Sequence, residues 1–154
     1  MAGGRKVIAT NRRASHDYFL EERYEAGLVL TGTEIKSVRA GKVSLQHSYV
    51  LPQRDELWLI DAHIAPYEHG SRQNHDPKRP RKLLLHRREI NRLIDQVSIR
   101  GYTIVPTQLY LKDGRAKLEI ALARGKRQYD KRQAISERES QRQMERALRE
   151  RSRW

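Results

Sequence analysis

The 154-residue chain has no cysteine. That excludes a disulfide scaffold, a thiolate zinc site, an iron–sulfur cluster and a cysteine nucleophile. Aromatic residues make up only 6%, with one phenylalanine and two tryptophans. No apolar run approaches the roughly 18 residues of a membrane span. The start, Met1 to Ala9, is too poor in apolar residues for a signal peptide, so a cytoplasmic location is expected and no membrane partner is. No Walker loop, Rossmann glycine run or nucleophile elbow is present. The six histidines show no i, i+4 pair of the helical zinc type. His63, His69 and His75 lie near Glu68 and Asp76, but solvated loop histidines are commoner than ligands, and no metal or other cofactor is expected.

What the chain has instead is positive charge. Thirty-two Lys and Arg oppose 19 Asp and Glu, a formal net charge of +13. Charged residues reach 33%, above the usual share of about a quarter. Such an excess exceeds what solubility requires and points to a polyanion, most simply nucleic acid. The charge is concentrated toward the end. Residues 124–154 carry 11 basic and 5 acidic side chains, net +6 in a fifth of the length. They contain too few apolar residues to fold alone. The expected division is a folded domain over residues 1–123 and a basic tail over 124–154.

The domain reads as mainly β. Extended segments are expected at Lys6–Thr10, Tyr18–Leu20, Ala26–Leu30, Ser48–Leu51, Leu57–Ile60, Tyr102–Leu111 and Ala116–Ala123. Asp113–Gly114 is a strong two-residue hairpin signal between the last two. In the final strand Leu118, Ile120 and Leu122 alternate with Lys117, Glu119 and Ala121, giving a core face and a more polar one. Helices are expected at Glu34–Ala40, opened by Thr33 and stopped by Gly41, and at His86–Arg100, stopped by Gly101. Asn11–His16 suggests a third, short one. This pattern fits an OB-like antiparallel barrel with about three flanking helices and a basic C-terminal tail.

Three stretches carry binding chemistry. Asn11–Phe19 mixes cations with Tyr18 and Phe19; cations neutralise phosphates and aromatics stack on bases, although Phe19 reads better as a core residue. Asp76–Lys82 sets four cations around two prolines, which keep the backbone extended so that the charges present as a rigid strip, the alternative being a solvated loop. In the tail, Ser136-x-x-Glu139 is a capping box. Beyond it Arg138, Arg142, Arg146, Arg149 and Arg153 fall within about 80° on a helical projection, one arginine stripe along a helix about 27 Å long. Alone in water that helix is marginal, so the tail is expected to be disordered when free and helical when laid along phosphates. Two rivals stand beside an RNA-binding adaptor: a ribosomal protein using the same basic surface, and a small histidine-based ribonuclease.

Several blocks occur together in one order: Asn11–Phe19, Tyr24–Gly27, Thr31–Lys42, Ser48–Leu51, Asn74–Pro77, Arg81–His86 and Gly125–Arg132. In these the sequence resembles the SsrA-binding protein (small protein B) family over residues 6–139. The resemblance implies an OB-like barrel and an adaptor rather than an enzyme. It implies binding to the tRNA-like domain of transfer-messenger RNA and delivery of that RNA, with GTP-bound elongation factor Tu, to stalled ribosomes for trans-translation: peptide tagging and ribosome rescue. Asn11, His16, Tyr18, Glu25 and Leu84 match family positions at the RNA surface, and Arg13, Lys36 and Lys82 join them as expected RNA contacts. Gly125, Lys126, Arg127, Tyr129, Asp130, Lys131 and Arg132 match a tail motif required on the ribosome. There the tail, with Arg138, Arg142, Arg146 and Arg149, would be a helix in the vacant messenger channel beside the decoding centre and 16S rRNA. Ser140 stands where some relatives carry tryptophan. A monomer is the expected state.

Overall fold

The structure is a computed structural model and describes residues 4–67, 74–126, 138–139, 141–147 and 149. Among the described residues up to Gly125, nine strands and three helices follow one another as β1 (Arg5–Thr10), α1 (Arg12–Asp17), β2 (Tyr18–Leu28), α2 (Gly32–Arg39), β3 (Val43–Ser44), β4 (Tyr49–Gln53), β5 (Glu56–Ile60), β6 (His63–Ile64), β7 (Arg81–Leu84), α3 (Arg87–Arg100), β8 (Thr103–Lys112) and β9 (Arg115–Gly125). β8, β4, β5, β7, β2 and β9 bond in that order, and β9 returns to β8, so an antiparallel ring closes. β1 adds outside the ring against β8, and β3 pairs with β6 in a small second sheet. This is the OB-like barrel that the spacing of short strands predicts. Closure removes open edges from the ring itself.

The interior is filled by the inward residues of the ring. Leu57 and Leu59 of β5, Leu83 of β7, Ile104 and Leu109 of β8, and Leu118, Ile120 and Leu122 of β9 are buried together with Val38 of α2 and Ile90 and Leu93 of α3. Burying each such aliphatic side chain contributes about 1.5–3 kcal/mol. The β8–β9 hairpin turns at Asp113 (φ 52°) and Gly114 (φ 76°), both left-handed, as a type I′ turn requires. The β4–β5 hairpin makes its turn at Arg54 and Asp55, also at positive φ (54° and 59°) but without a glycine.

Local differences from the sequence expectation have physical causes. Tyr18–Leu20 and Ala26–Leu30 are not separate segments. One strand, β2, runs from Tyr18 to Leu28 and absorbs the charged Glu21–Arg23 stretch in an irregularity between Leu20 and Arg23. α2 starts at Gly32, not after Thr33. Thr31 is the cap: its hydroxyl accepts from the Glu34 N–H at 3.4 Å, and Glu34 Oε1 accepts from the Thr31 N–H at 2.8 Å. Ala121, expected on the more polar face, is fully buried, and Ala123 two residues on packs with Ala14 of α1 and Val105 in a second buried layer. β3, β6 and β7 carry no sequence signal of their own; each is four residues or fewer, too short for a period-2 pattern.

Two further expectations fail outright. Phe19 is not a core residue: it is exposed on β2, with the Arg124 guanidinium 5.9 Å and the Lys126 ammonium 5.4 Å from its ring centre. Nor is Asp76–Lys82 a basic strip. Arg81 is fully buried and Arg79 turns inward, both bound to the carboxylate of Glu34, which is itself fully buried. The sequence shows four cations; folding buries Arg81 and turns the partly exposed Arg79 onto the same carboxylate.

Candidate nucleic-acid interface

α1 is a six-residue helix held at one end of the barrel. Asn11 precedes it, its backbone N–H donating to the Thr107 carbonyl at 2.7 Å and its Nδ2 to the Pro106 carbonyl at 2.9 Å. Those two carbonyls sit at the irregularity in β8 between Pro106 and Gln108, where regular pairing with β9 breaks. Asn11 therefore fills hydrogen bonds that the sheet leaves open and fixes where the helix begins. Ala14 is buried beneath, while Arg12, Arg13, Ser15, His16 and Asp17 are exposed. His16 Nδ1 lies 2.9 Å from Asp17 Oδ1, and the histidine side chain is 86% exposed.

Three clefts meet at this helix. One of about 370 Å³ runs between Arg13, Asp17 and Tyr18 on one side and His47, Tyr49 and Thr103 on the other. A second, about 320 Å³, lies between Arg12, Arg13 and the β3 segment at Ser44. A third, about 320 Å³, is lined by Arg12, Ser15, Arg23, Gln108 and Glu119. Cationic and aromatic groups around open clefts suit phosphates and unstacked bases.

The third cleft leads onto the barrel wall. Glu119 is the cross-strand partner of Glu25, and Gly27, two residues on, pairs with Leu84 of β7. Leu84 is 52% exposed, and a Cβ on Gly27 would lie 3.3 Å from its Cβ, so glycine leaves the leucine its place. Lys82 is two residues from Leu84 on the same face, opposite Trp58. Asn11, Arg13, His16 and Tyr18 thus share the α1 end, and Glu25, Leu84 and Lys82 share the adjoining face of β2 and β7. Lys36 lines none of the three clefts; it sits on α2 with its ammonium 5.4 Å from the Tyr67 ring centre.

Glu25 is a carboxylate on a cationic surface, and its charge is supported from within. The Tyr110 hydroxyl donates to Oε2, and Lys112 Nζ lies 3.6 Å from Oε1. The tyrosine hydrogen bond, helped by Lys112 against some desolvation, holds the carboxyl below its ordinary range. Glu119 is also held low: burial opposes its charge, but bonds from Thr107 and Gln108 and the Arg23 guanidinium outweigh that. The sequence reading missed Tyr110, Lys112 and Arg5, because only strand pairing brings them beside Glu25.

At the other terminus of the domain, β9 ends at Gly125, opposite Tyr18. Lys126 then reaches back, its Nζ donating to the Ser15 carbonyl at 3.0 Å. Arg127, Tyr129, Asp130, Lys131, Arg132 and the Ser136 cap lie outside the described residues. Arg138, Arg142, Arg146 and Arg149 are helical and exposed. Of the loop histidines, His69 lies outside the described residues. His75 is engaged: Nε2 donates to the Ile64 carbonyl at 2.8 Å and Nδ1 pairs with the Thr33 hydroxyl at 2.8 Å. Among the described residues no group of three His, Asp or Glu side chains is placed to hold a metal ion.

The family model described as SmpB protein matches residues 8–150. The chain belongs to the SmpB family. It is 60% identical over 152 residues to the SsrA-binding protein of Roseiflexus castenholzii (strain DSM 13941 / HLO8), covering 98% of this chain and 96% of that protein. It is 58% identical over 149 residues to the SsrA-binding protein of Geobacillus kaustophilus (strain HTA426), covering 97% and 96%. A solved chain described as "tmRNA-SmpB: a journey to the center of the bacterial ribosome" superposes with a TM-score of 0.64 at 52% identity, over 76% of this chain and 82% of that one. The exposed cations of α1 and the open face around Glu25 and Leu84 adjoin on the barrel surface.

Proposed function

We propose that this chain is an RNA-binding adaptor that binds the tRNA-like domain of transfer-messenger RNA and brings it to stalled ribosomes for trans-translation. It does so by binding, not catalysis. The observation that carries the reading is the α1 end of the barrel, where Arg12 and Arg13 line three clefts and His16 stands exposed on the same helix, in a chain of the SmpB family. Arg12 and Arg13 would neutralise phosphates, and Tyr18 and His16 would read exposed bases or riboses. Asn11 would act mainly by setting the helix start, since its amide is already bonded to Pro106.

The tail has a separate task in this reading. Its arginine stripe would track rRNA phosphates at the decoding centre and in the messenger channel. Elongation factor Tu with GTP would join through the RNA complex, the protein would act as a monomer, and the site of action would be the cytoplasm. Gly125 and Lys126 mark where the tail leaves the barrel, and 127–132 would carry the family motif.

The test is a mobility-shift competition at near-physiological salt, with the tRNA-like fragment as probe and bulk tRNA or an unrelated hairpin as competitor. The fragment is expected to hold the protein against excess competitor. Equal competition by all three would leave charge alone as the basis of binding and favour a ribosomal protein. Cleavage of the bound fragment over time would favour the ribonuclease.

A further inference from the structure

Tyr110 has no exposed surface although its hydroxyl reaches the exposed Glu25. What covers it is Arg5 of β1. The guanidinium carbon of Arg5 lies 3.7 Å from the centre of the Tyr110 ring, a close stacked contact. Arg5 is itself exposed, and it pairs in register with Lys112, whose ammonium faces the other oxygen of Glu25. One buried tyrosine therefore links an exposed guanidinium and an exposed carboxylate on two strands, and the carboxylate in turn meets the half-buried ammonium of a third. A lone carboxylate would repel RNA phosphate. Flanked in this way it becomes an acceptor set between two cations, which matches a ribose hydroxyl or base amino group lying next to a phosphate.

We propose that the RNA contact around Glu25 extends onto β1, with Arg5 as an additional phosphate-binding residue and Tyr110 as the positioning residue that holds both Arg5 and Glu25. Tyr110 touches no RNA; it acts through its hydroxyl on Glu25 and through its ring on Arg5. The proposal rests on the adaptor reading above. Stacking fixes the plane of the guanidinium, so less conformational entropy is lost when it meets a phosphate.

The experiment measures affinity for the tRNA-like fragment across a salt series, in full-length wild type, Tyr110→Phe, Glu25→Gln, the double variant and Arg5→Gln, with thermal unfolding of each as a control. Tyr110→Phe keeps the ring under Arg5 and removes only the hydroxyl. It should weaken binding about five- to tenfold with an unchanged salt slope, and weaken Glu25→Gln by less than about twofold further. Arg5→Gln should weaken binding and lower the salt slope by about 1. Two results overturn the proposal. One is a Tyr110→Phe effect that persists in full in the Glu25→Gln background, which would make Tyr110 merely structural. The other is an unchanged salt slope for Arg5→Gln. If wild type fails to prefer the fragment over an unrelated hairpin, the adaptor reading and this proposal fall together. If wild type discriminates and the variants match it, this proposal alone falls.

Discussion

Arg81 donates through Nε to Glu34 Oε2 at 2.6 Å, and neither side chain has any exposed surface. The same guanidinium donates to the carbonyls of Ala62 at 2.7 Å and Pro77 at 3.0 Å, and Arg79 donates to the other oxygen of Glu34. One buried carboxylate thus fastens the start of α2 to β7 and to the segment that leads into it. Burial works against the charge of Glu34, but the bonds from Arg79, the Thr31 N–H and Arg81 prevail and hold its carboxyl below the ordinary range.

Removing one partner should be costly. Arg81→Met leaves a buried carboxylate with fewer donors and strands several carbonyls. A loss of about 3–5 kcal/mol is expected. Glu34→Gln should cost a similar amount, since one accepting oxygen becomes an amide NH2 facing a guanidinium and Arg81 stays buried without its counter-charge. The double variant Glu34→Gln/Arg81→Met should cost less than the sum of the two. Urea denaturation curves of the three variants check this; strict additivity would show that the two groups do not act as a pair.

Acid should unfold the protein through its paired carboxylates. Glu22 is held down to about 2 from an ordinary 4.5, first by the Arg92 guanidinium and then by the Tyr24 hydroxyl. Glu25, Glu34 and Glu119 are also lowered. A group whose folded pKa is depressed contributes stability above its unfolded pKa and loses it as pH falls through the folded value. Stability should therefore decline steadily between about pH 4.5 and about pH 2. Because Glu22 and Arg92 are both largely exposed, solvent screens their pair and its contribution is small. Glu22→Gln should flatten the decline slightly, read from unfolding midpoints across pH.

Two glycines should respond in opposite ways. Gly32 opens α2 with nothing within 4 Å of a built Cβ, so Gly32→Ala should stabilise the protein by about 0.4–1 kcal/mol and leave RNA affinity alone. At Gly27 a Cβ would press on Leu84 at 3.3 Å. A strand gains about 0.5–1 kcal/mol from glycine to alanine, and crowding gives it back. Gly27→Ala should leave the melting temperature nearly unchanged while shifting Leu84 and weakening binding to the tRNA-like fragment severalfold. Unaltered affinity would remove Leu84 from the interface.

Deleting 127–154 should separate the two tasks of the protein. The cut falls after Lys126, which keeps its bond to Ser15. Affinity for the tRNA-like fragment is expected to stay within about threefold of wild type, with a modestly lower salt slope, and peptide tagging on stalled ribosomes to disappear. Full tagging by the truncated protein would refute a tail role on the ribosome.

The sequence was legible where the signal is local. Asp113–Gly114 announces its hairpin because few residues tolerate two left-handed conformations in succession. Gly41 and Gly101 end their helices for the same reason. The 3.6-residue spacing of Ile90, Leu93 and Ile94 marks α3, and the ordered motif blocks mark the family. Elsewhere local pattern misled. Thr33 looks like a cap as much as Thr31 does, and only the reciprocal bonds with Glu34 separate them. Phe19 reads as core, but strand pairing turns it outward toward Arg124 and Lys126.

By itself, then, the sequence determined the protein's class: mainly β, strongly basic, without the cysteines, motifs or apolar runs of other chemistries. Composition, turn residues and short-range periodicity act over a few residues, so they can be read in one dimension. The tertiary structure alone decided which charges face solvent. Arg79 and Arg81 lie within the most basic stretch of the domain and are spent on Glu34, 45 and 47 residues away. Arg5 reads as an ordinary N-terminal cation, yet it stacks on Tyr110, which is bonded to Glu25, 85 residues from it in sequence. A charge counts as surface or interior only once its partner is known, and those partners are set by barrel closure, not by neighbours along the chain.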